Sequence, residues 1–259
     1  MAIHPTAIID PDADISAEAE IGPYCIIGSG VTIGARTRLV AHVYLEGKLT
    51  IGKDNIFYPY SSCGVAPQDK KYKGEPSETR IGDRNSIREF VTIHRGTEGG
   101  GMVTAIGDGN LLMAYVHVAH DVIIQNHTII ANGVTFAGHV IVEDYANIGG
   151  LCAIHQFCRI GRHAFVGPYT VIKQDVMPYS LTSSQPQVAV FGANSIGLAR
   201  RGFDAAAIES LQISIRLLTR AGLNTSQAIE RIRAEVPSCQ EVDELITFIT
   251  SSERGVIKG

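Results

Sequence analysis

The chain has 259 residues, of which 45% are hydrophobic and 27 are glycine, and it carries a net charge of −4. That length suits one large or two modest domains, and the weak negative charge without a long basic run disfavours a nucleic-acid partner. No run approaches the roughly 20 apolar residues that cross a bilayer, and the N-terminal MAIHPTAIIDPDADI lacks a cationic segment leading into an apolar one, so neither a span nor a secretory signal is expected.

From the N-terminus onward every sixth residue is aliphatic: Ile3, Ile9, Ile15, Ile21, Ile27, Ile33, Leu39, Leu45 and Ile51. The series decays through Phe57 and Cys63, restarts as Ile81, Ile87 and Ile93, then runs from Ile106 and Leu112 through Val118, Ile124, Ile130, Phe136, Val142, Ile148, Ile154, Ile160 and Val166 to Ile172. A period of six fits neither a helix nor a free amphipathic strand; it is the signature of a parallel β-helix. Three hexads close one triangular coil, so residues eighteen apart lie about 4.8 Å apart along the axis. Glycine often follows the aliphatic residue, as at Gly22, Gly34, Gly52 and Gly82, where the expectation is a sharp backbone turn.

Two segments break the period and must leave the prism: residues 64–79 (GVAPQDKKYKGEPSET) and residues 94–105 (HRGTEGGGMVTA). Long loops on a rigid repeat commonly carry function. Two glycine-rich stretches are decoys, since Gly47 to Lys53 imitates a phosphate loop but has Asp54 in place of the magnesium-binding Ser or Thr, and Gly28 to Gly34 misses dinucleotide spacing.

Past Ile172 the hexads stop. Residues 180–190 read as a connector, after which Asp204 caps a helix over 205–220 that stops at Gly222, Thr225 caps a second to about Glu235, and a third runs from about Glu241 to Ser251. These three helices would plug the open end of the solenoid or pack on a neighbouring chain. The expected fold class is mainly β: a β-helix over 1–190 followed by a small α-helical C-terminal domain over 191–259. The five cysteines, Cys25, Cys63, Cys152, Cys158 and Cys239, are odd in number and lack metal-type spacing, which predicts reduced, mostly buried thiols of a cytoplasmic protein.

The eighteen-residue coil brings chemistry together. It places 119–121 (Ala-His-Asp) under 137–139 (Ala-Gly-His) and these under 155–157 (His-Gln-Phe), so that His120, His139, His155 and Asp121 converge on one strip within roughly 10 Å. Three readings fit: histidines bonded at a subunit interface, a three-histidine metal site on a prism like that of γ-class carbonic anhydrases, or general-base catalysis. In the third, an imidazole takes a proton from an attacking hydroxyl, Asp121 fixes its tautomer, and the Gly138 amide meets an oxyanion.

At these residues the chain resembles the UDP-N-acetylglucosamine O-acyltransferases of bacterial lipid A synthesis. The likeness runs through Gln68 to Pro76, Ile81 to Asn85, Val91 to Thr97, Asp108 to Met113, His117 to Asp121, Ala137 to His139, His155 to Cys158, Gln174 to Val176, Phe191 to Asn194 and Arg200 to Phe203. The resemblance implies a left-handed β-helix, a cytoplasmic homotrimer with clefts between prisms, and transfer of an (R)-3-hydroxyacyl group from acyl carrier protein to the sugar 3-hydroxyl, with no cofactor and no metal. It implies His120 as base, Asp121 as its orienting carboxylate and Gly138 as oxyanion donor. It further implies that His117, His139, His155 and Gln156 line the substrate cleft, that Gln68, Asp69 and Lys71 on the first loop hold acyl and phosphate groups, and that Asn194, Arg200 and Arg201 contact the uridine diphosphate. Arg159, Arg162, Lys173, Arg216 and Arg220 are expected to receive the acidic carrier protein. Two residues depart from the family pattern: Pro168 stands at a chain-length position where several members have Gly, and Ile196 replaces an acidic residue of the sugar-contacting segment. The related N-acyltransferase of the same pathway has an extra N-terminal domain, and hexads beginning at Ile3 count against it. A catalytically silent scaffold is the alternative of a different class.

Overall fold

Each hexad folds as a short strand and a bend. In the computed structural model, which describes residues 2–184 and 187–258, Ile3 pairs with Ile21, Ile21 with Leu39 and Leu39 with Phe57, always eighteen residues on. Stacked strands form sheets on three faces, with eleven, nine and eight strands among the described residues, all parallel except the last strand of the first sheet. Arg38–Leu39 lies on the first face, Tyr44–Leu45 on the second and Lys48–Ile51 on the third.

The core contains more than the six-residue series. The rung residues are buried from Ile21 onward, including Phe57 and Cys63, where the aliphatic pattern had faded. A second inward row stands two residues before each rung, as at Cys25, Val43, Val91, Val116, Val134 and Cys152. Alternation within each strand produces it. On the first face this row is polar, running through Thr37, Asn55, Asn85, Asn110 and Thr128, all buried. Asn85 donates its side-chain amide to Asn55 Oδ1 at 3.0 Å and to Gly107 O at 2.9 Å, so each coil satisfies bend carbonyls of its neighbours. At the N-terminal end Ile3 of the first coil is exposed.

The post-rung glycines serve a different purpose from the one expected. Positive φ falls two residues later, on Tyr24, Arg36, His42, Asp54 and their successors. Gly22 and Gly52 instead face carbonyls of the next coil so closely that a β-carbon would collide with them. The left-handed backbone of bulky residues costs on the order of 1 kcal/mol each. Ring stacking offsets part of it: Tyr24, His42, Tyr60, Phe90 and Tyr115 form a column with 4.9–5.1 Å between centroids along the corner joining first and second faces.

The two excursions are narrower than the sequence suggests. Coil length steps from eighteen residues to thirty (Ile56 to Ser86) and then to twenty-five (Ser86 to Leu111), and returns to eighteen (Leu111 to Ile129). Strands Ser62–Val65, Glu78–Ile81 and Val103–Ile106 extend pairing into both segments from their edges. Every strand beyond the excursions therefore regains its face.

Beyond Ile172 the expected connector is a hairpin, whose residues 185 and 186 lie outside the described residues. Ser180–Ser184 continues the first face and pairs antiparallel with Val188–Ala193. Among the described residues the tail has four helices: α1 (Ser195–Arg200), α2 (Ala205–Arg220), α3 (Thr225–Glu235) and α4 (Gln240–Thr250). Asp204 caps α2 as expected, but α3 is capped by Asn224 rather than Thr225, in a reciprocal box with Gln227. The short α1 was not foreseen. Leu211, Ile215, Leu218, Ile232, Val242 and Leu245 form the helical core. The chain then returns to the prism, where buried Asp175 donates its N–H to Gly255 O at 3.0 Å and accepts at its own carbonyl from Ile257 at 2.9 Å.

Candidate active site

The corner joining the second and third faces carries the histidine strip. His117–Val118 pairs with Thr135–Phe136, which pairs with Ala153–Ile154, so the bends 119–121, 137–139 and 155–157 stack as the eighteen-residue coil requires. His120 Nδ1 lies 2.8 Å from Asp121 Oδ2, and the His120 and His139 rings meet edge to face at 5.1 Å. With Nδ1–H directed at the carboxylate, Nε2 of His120 holds the lone pair. Gly138 is buried over this ring, and a β-carbon there would sit 2.5 Å from Cε1 and 2.8 Å from Nε2. The amides on either side are engaged, Ala137 with Ile154 O and His139 with His120 O, while that of Gly138 has no partner among the described residues.

Asp121 is almost sealed, its side chain 1% exposed. Oδ1 accepts from the Thr97 N–H at 2.8 Å, Oδ2 from the Thr97 hydroxyl at 2.5 Å, and the Asp121 N–H donates to Thr104 Oγ1 at 2.8 Å. Thr97 and Thr104 belong to the second excursion, and neither was singled out for a role from sequence. His139 Nδ1 stands 3.8 Å from the same carboxylate oxygen. Burial holds His139 and His117 below the usual imidazole range, although the Asp121 charge pulls His139 the other way. His117 Nδ1 is 2.7 Å from Thr92 Oγ1, and its ring meets that of buried His94 edge on at 5.0 Å.

His94 is a further site residue to which sequence reading assigned no role. Burial first, then the nearby His117 and His120, push it down to about 4, and its Nδ1 has no hydrogen-bond partner among the described residues. His163, in a ring column at another corner, is likewise held at about 4, again chiefly by burial. Both fold as neutral bases. Between about pH 6.5 and 4 the unfolded chain therefore binds more protons, and stability falls as pH is lowered through that window. Urea unfolding at pH 7 and pH 5 should show this loss, and His94→Gln should reduce the difference; an unchanged difference would assign the acid sensitivity elsewhere.

The remaining predicted residues divide among corners. Gln68, Asp69 and Lys71 lie on the first excursion, which leaves the prism at the same corner as His120, and Asp69 is near enough to act on His139. His155 and Gln156 are exposed one coil above Gly138, His155 Nδ1 being 3.1 Å from Gln156 O. Asn194, Arg200 and Arg201 line a cavity of about 340 Å³ at the corner joining the third and first faces, beside Tyr145 and His163. Arg201 stacks 4.4 Å from the Tyr145 ring, and Asn194 caps α1 while donating to His163 O at 3.0 Å. Pro168 is exposed at the third corner, between first and second faces. Within one chain, then, the structure unites the histidines, Asp121 and Gly138 but separates them from the arginines and Pro168. Two of the expected carrier-facing cations are already used: Arg159 pairs with Glu143 and Arg162 with Glu244, each at 3.1 Å.

A cluster of His120, Asp121 and His139 has the atom spacing of a metal site. Its carboxylate is already bonded to Thr97 and His120, so the donor set suits proton handling better than chelation.

Comparison with known proteins agrees with this architecture. The family model described as UDP N-acetylglucosamine O-acyltransferase, domain 2, matches residues 175–257, and the bacterial transferase hexapeptide model matches residues 2–35 and 104–138. An acyl-(acyl-carrier-protein)–UDP-N-acetylglucosamine O-acyltransferase from Thermodesulfovibrio yellowstonii is 48% identical over 256 residues, covering 99% of both chains. The crystal structure of a UDP-N-acetylglucosamine acyltransferase from Bacteroides fragilis superposes with a TM-score of 0.96 at 41% identity, covering 99% of this chain and 100% of that one. The corresponding Arabidopsis enzyme superposes with a TM-score of 0.85 at 32% identity, covering 99% of this chain and 100% of that one. The prism is a left-handed parallel β-helix that superposes on these structures, and the chain belongs to the acyl-(acyl-carrier-protein)–UDP-N-acetylglucosamine O-acyltransferase family.

Proposed function

We propose that this protein transfers an (R)-3-hydroxyacyl group from acyl carrier protein directly to the 3-hydroxyl of UDP-N-acetylglucosamine, the first step of lipid A synthesis, in the cytoplasm and without a cofactor. The observation that carries the reading is the His120 imidazole held between the Asp121 carboxylate and the Gly138 backbone. Nε2 of His120 takes the proton of the sugar hydroxyl as its oxygen attacks the thioester carbon. Asp121 steadies the imidazolium, and the free Gly138 amide meets the oxyanion. Collapse of the intermediate expels the carrier thiolate, which recovers the proton from His120.

The division of predicted residues among three corners supports a homotrimer. Asn194, Arg200 and Arg201 of one prism reach the histidine strip of another only if chains assemble corner to corner. His117, His139, His155 and Gln156 then line the cleft with Gln68, Asp69 and Lys71 above it. Guanidinium groups suit the diphosphate. Lys173 and Arg216 remain for the acidic carrier, together with Arg220, which already donates one guanidinium N–H to Phe191 O at 3.1 Å.

The test is mass spectrometry of products from mixed 3-hydroxyacyl carrier proteins with UDP-N-acetylglucosamine. A single 3-O-ester is expected. Since the Pro168 ring shortens or redirects the acyl groove, Pro168→Gly should move the preference towards longer chains. An N-acylated product, or no acyl transfer with any donor, would overturn the reading.

A further inference from the structure

We infer that Thr97 is a positioning residue for the catalytic pair, and that the second excursion exists to bring it there. The inference rests on His120 acting as the base. A carboxylate that orients an imidazole works only if its own rotation is blocked. Here Thr97 supplies two donors to the two oxygens of Asp121, its N–H at 2.8 Å and its hydroxyl at 2.5 Å, and among the described residues no other residue does the same. The loop is closed on itself to hold that residue: the N–H groups of Gly100 and Met102 both donate to Thr97 O, at 3.1 and 2.9 Å. Gly100 then packs on the carboxylate so closely that a β-carbon would collide with Asp121 Cγ. The segment therefore also covers the Asp121 side chain, which is 1% exposed, and water cannot compete for its oxygens.

The coil carrying this excursion lies immediately before the coil that carries His120. The insertion that lengthens it to twenty-five residues thus sits where a short loop reaches the ledge from one rung away. The hydroxyl also divides the charge of Oδ2 between itself and His120 Nδ1. Its removal leaves more negative charge facing the imidazole, which favours the imidazolium and weakens orientation together. The other titratable groups facing the pair are His139, with Nδ1 3.8 Å from Asp121 Oδ2, Asp69 near His139, and His94 beyond it.

Thr97→Val keeps the branched shape and the backbone N–H and replaces the hydroxyl with a methyl group that cannot donate to Asp121 Oδ2. Loss of a hydrogen bond to a charged group predicts a fall in kcat of roughly ten- to a hundredfold, with KM for both substrates changed little and the acid limb of kcat/KM moved to higher pH. Thr97→Ser should restore most of both. Gly100→Ala, which displaces the carboxylate without deleting a donor, should lower kcat in the same way. A Thr97→Val enzyme with normal kcat, or one whose loss leaves the pH profile unmoved and is not rescued by serine, would overturn the inference. If Thr97→Val is normal while His120→Ala is inactive, only the positioning role fails; if both are normal, the base assignment fails with it.

Discussion

Replacing His120 with alanine is expected to lower kcat by about 10²- to 10⁴-fold, the range for loss of a positioned general base. The side chain is partly exposed, and its ring bonds only to Asp121 among the described residues. Its removal opens no hydrophobic cavity, because Val118 and Val122 supply the neighbouring core. The variant should therefore retain the circular dichroism and oligomeric mass of the parent. Steady-state transfer assays check the result, and turnover within a few fold of normal would remove His120 from the mechanism. Added imidazole should recover part of the rate in the alanine variant, since the vacated space lies directly beneath Gly138.

Gly138→Ala is expected to lower kcat by at least about a hundredfold while leaving the thermal midpoint nearly unchanged. A methyl group there would lie 2.5 Å from His120 Cε1, inside contact distance, so either the imidazole rotates away from Asp121 or the bend lifts. Either movement misplaces the reacting groups by an amount that costs about 10² in rate. The same lift would turn the Gly138 amide, and if that amide is the proposed oxyanion donor its loss alone is worth about 10²–10³. Conformational preference is not the cause, because positive φ belongs to the next residue, His139 at 62°. Normal kinetics in Gly138→Ala would mean that neither steric fit nor the amide at this bend matters.

The prism was legible in the sequence because one apolar side chain must return to the interior on every strand, and that position is aliphatic nearly throughout, with Phe57, Cys63 and Phe136 as the exceptions. The companion row was not, since Cys25, Val43 and Ala146 are small residues that occur equally in bends. A signal was nevertheless present: asparagine stands two places before the rung at Asn55, Asn85 and Asn110, and all three are buried and bonded. The histidine ledge was legible for the same reason as the prism, since spacing becomes position once coil length is known. The clamp on Asp121 was not, because Thr97 lies in a segment that has left the repeat and its place depends on how that segment closes. The start of α3 was misread by one residue, since Asn224 and Thr225 are both good caps and only Gln227 decides between them. Separation of the arginines from the histidines was hidden for a related reason: the tail follows a hairpin whose direction no periodicity announces.

The way both excursions leave the prism and return in phase bears on how such a chain tolerates change. Residues added at a corner lengthen one coil and leave every later side chain on its face, as the steps to thirty and twenty-five residues already demonstrate. A single residue removed from within a strand has the opposite effect. Because side chains alternate inside and out, the deletion would turn buried rungs towards solvent and bury charged partners until the next corner absorbed the slip. Growth and loss in this architecture are thus channelled to its three edges, and the ledge bearing His120 stays in place while the loops around it are free to diversify.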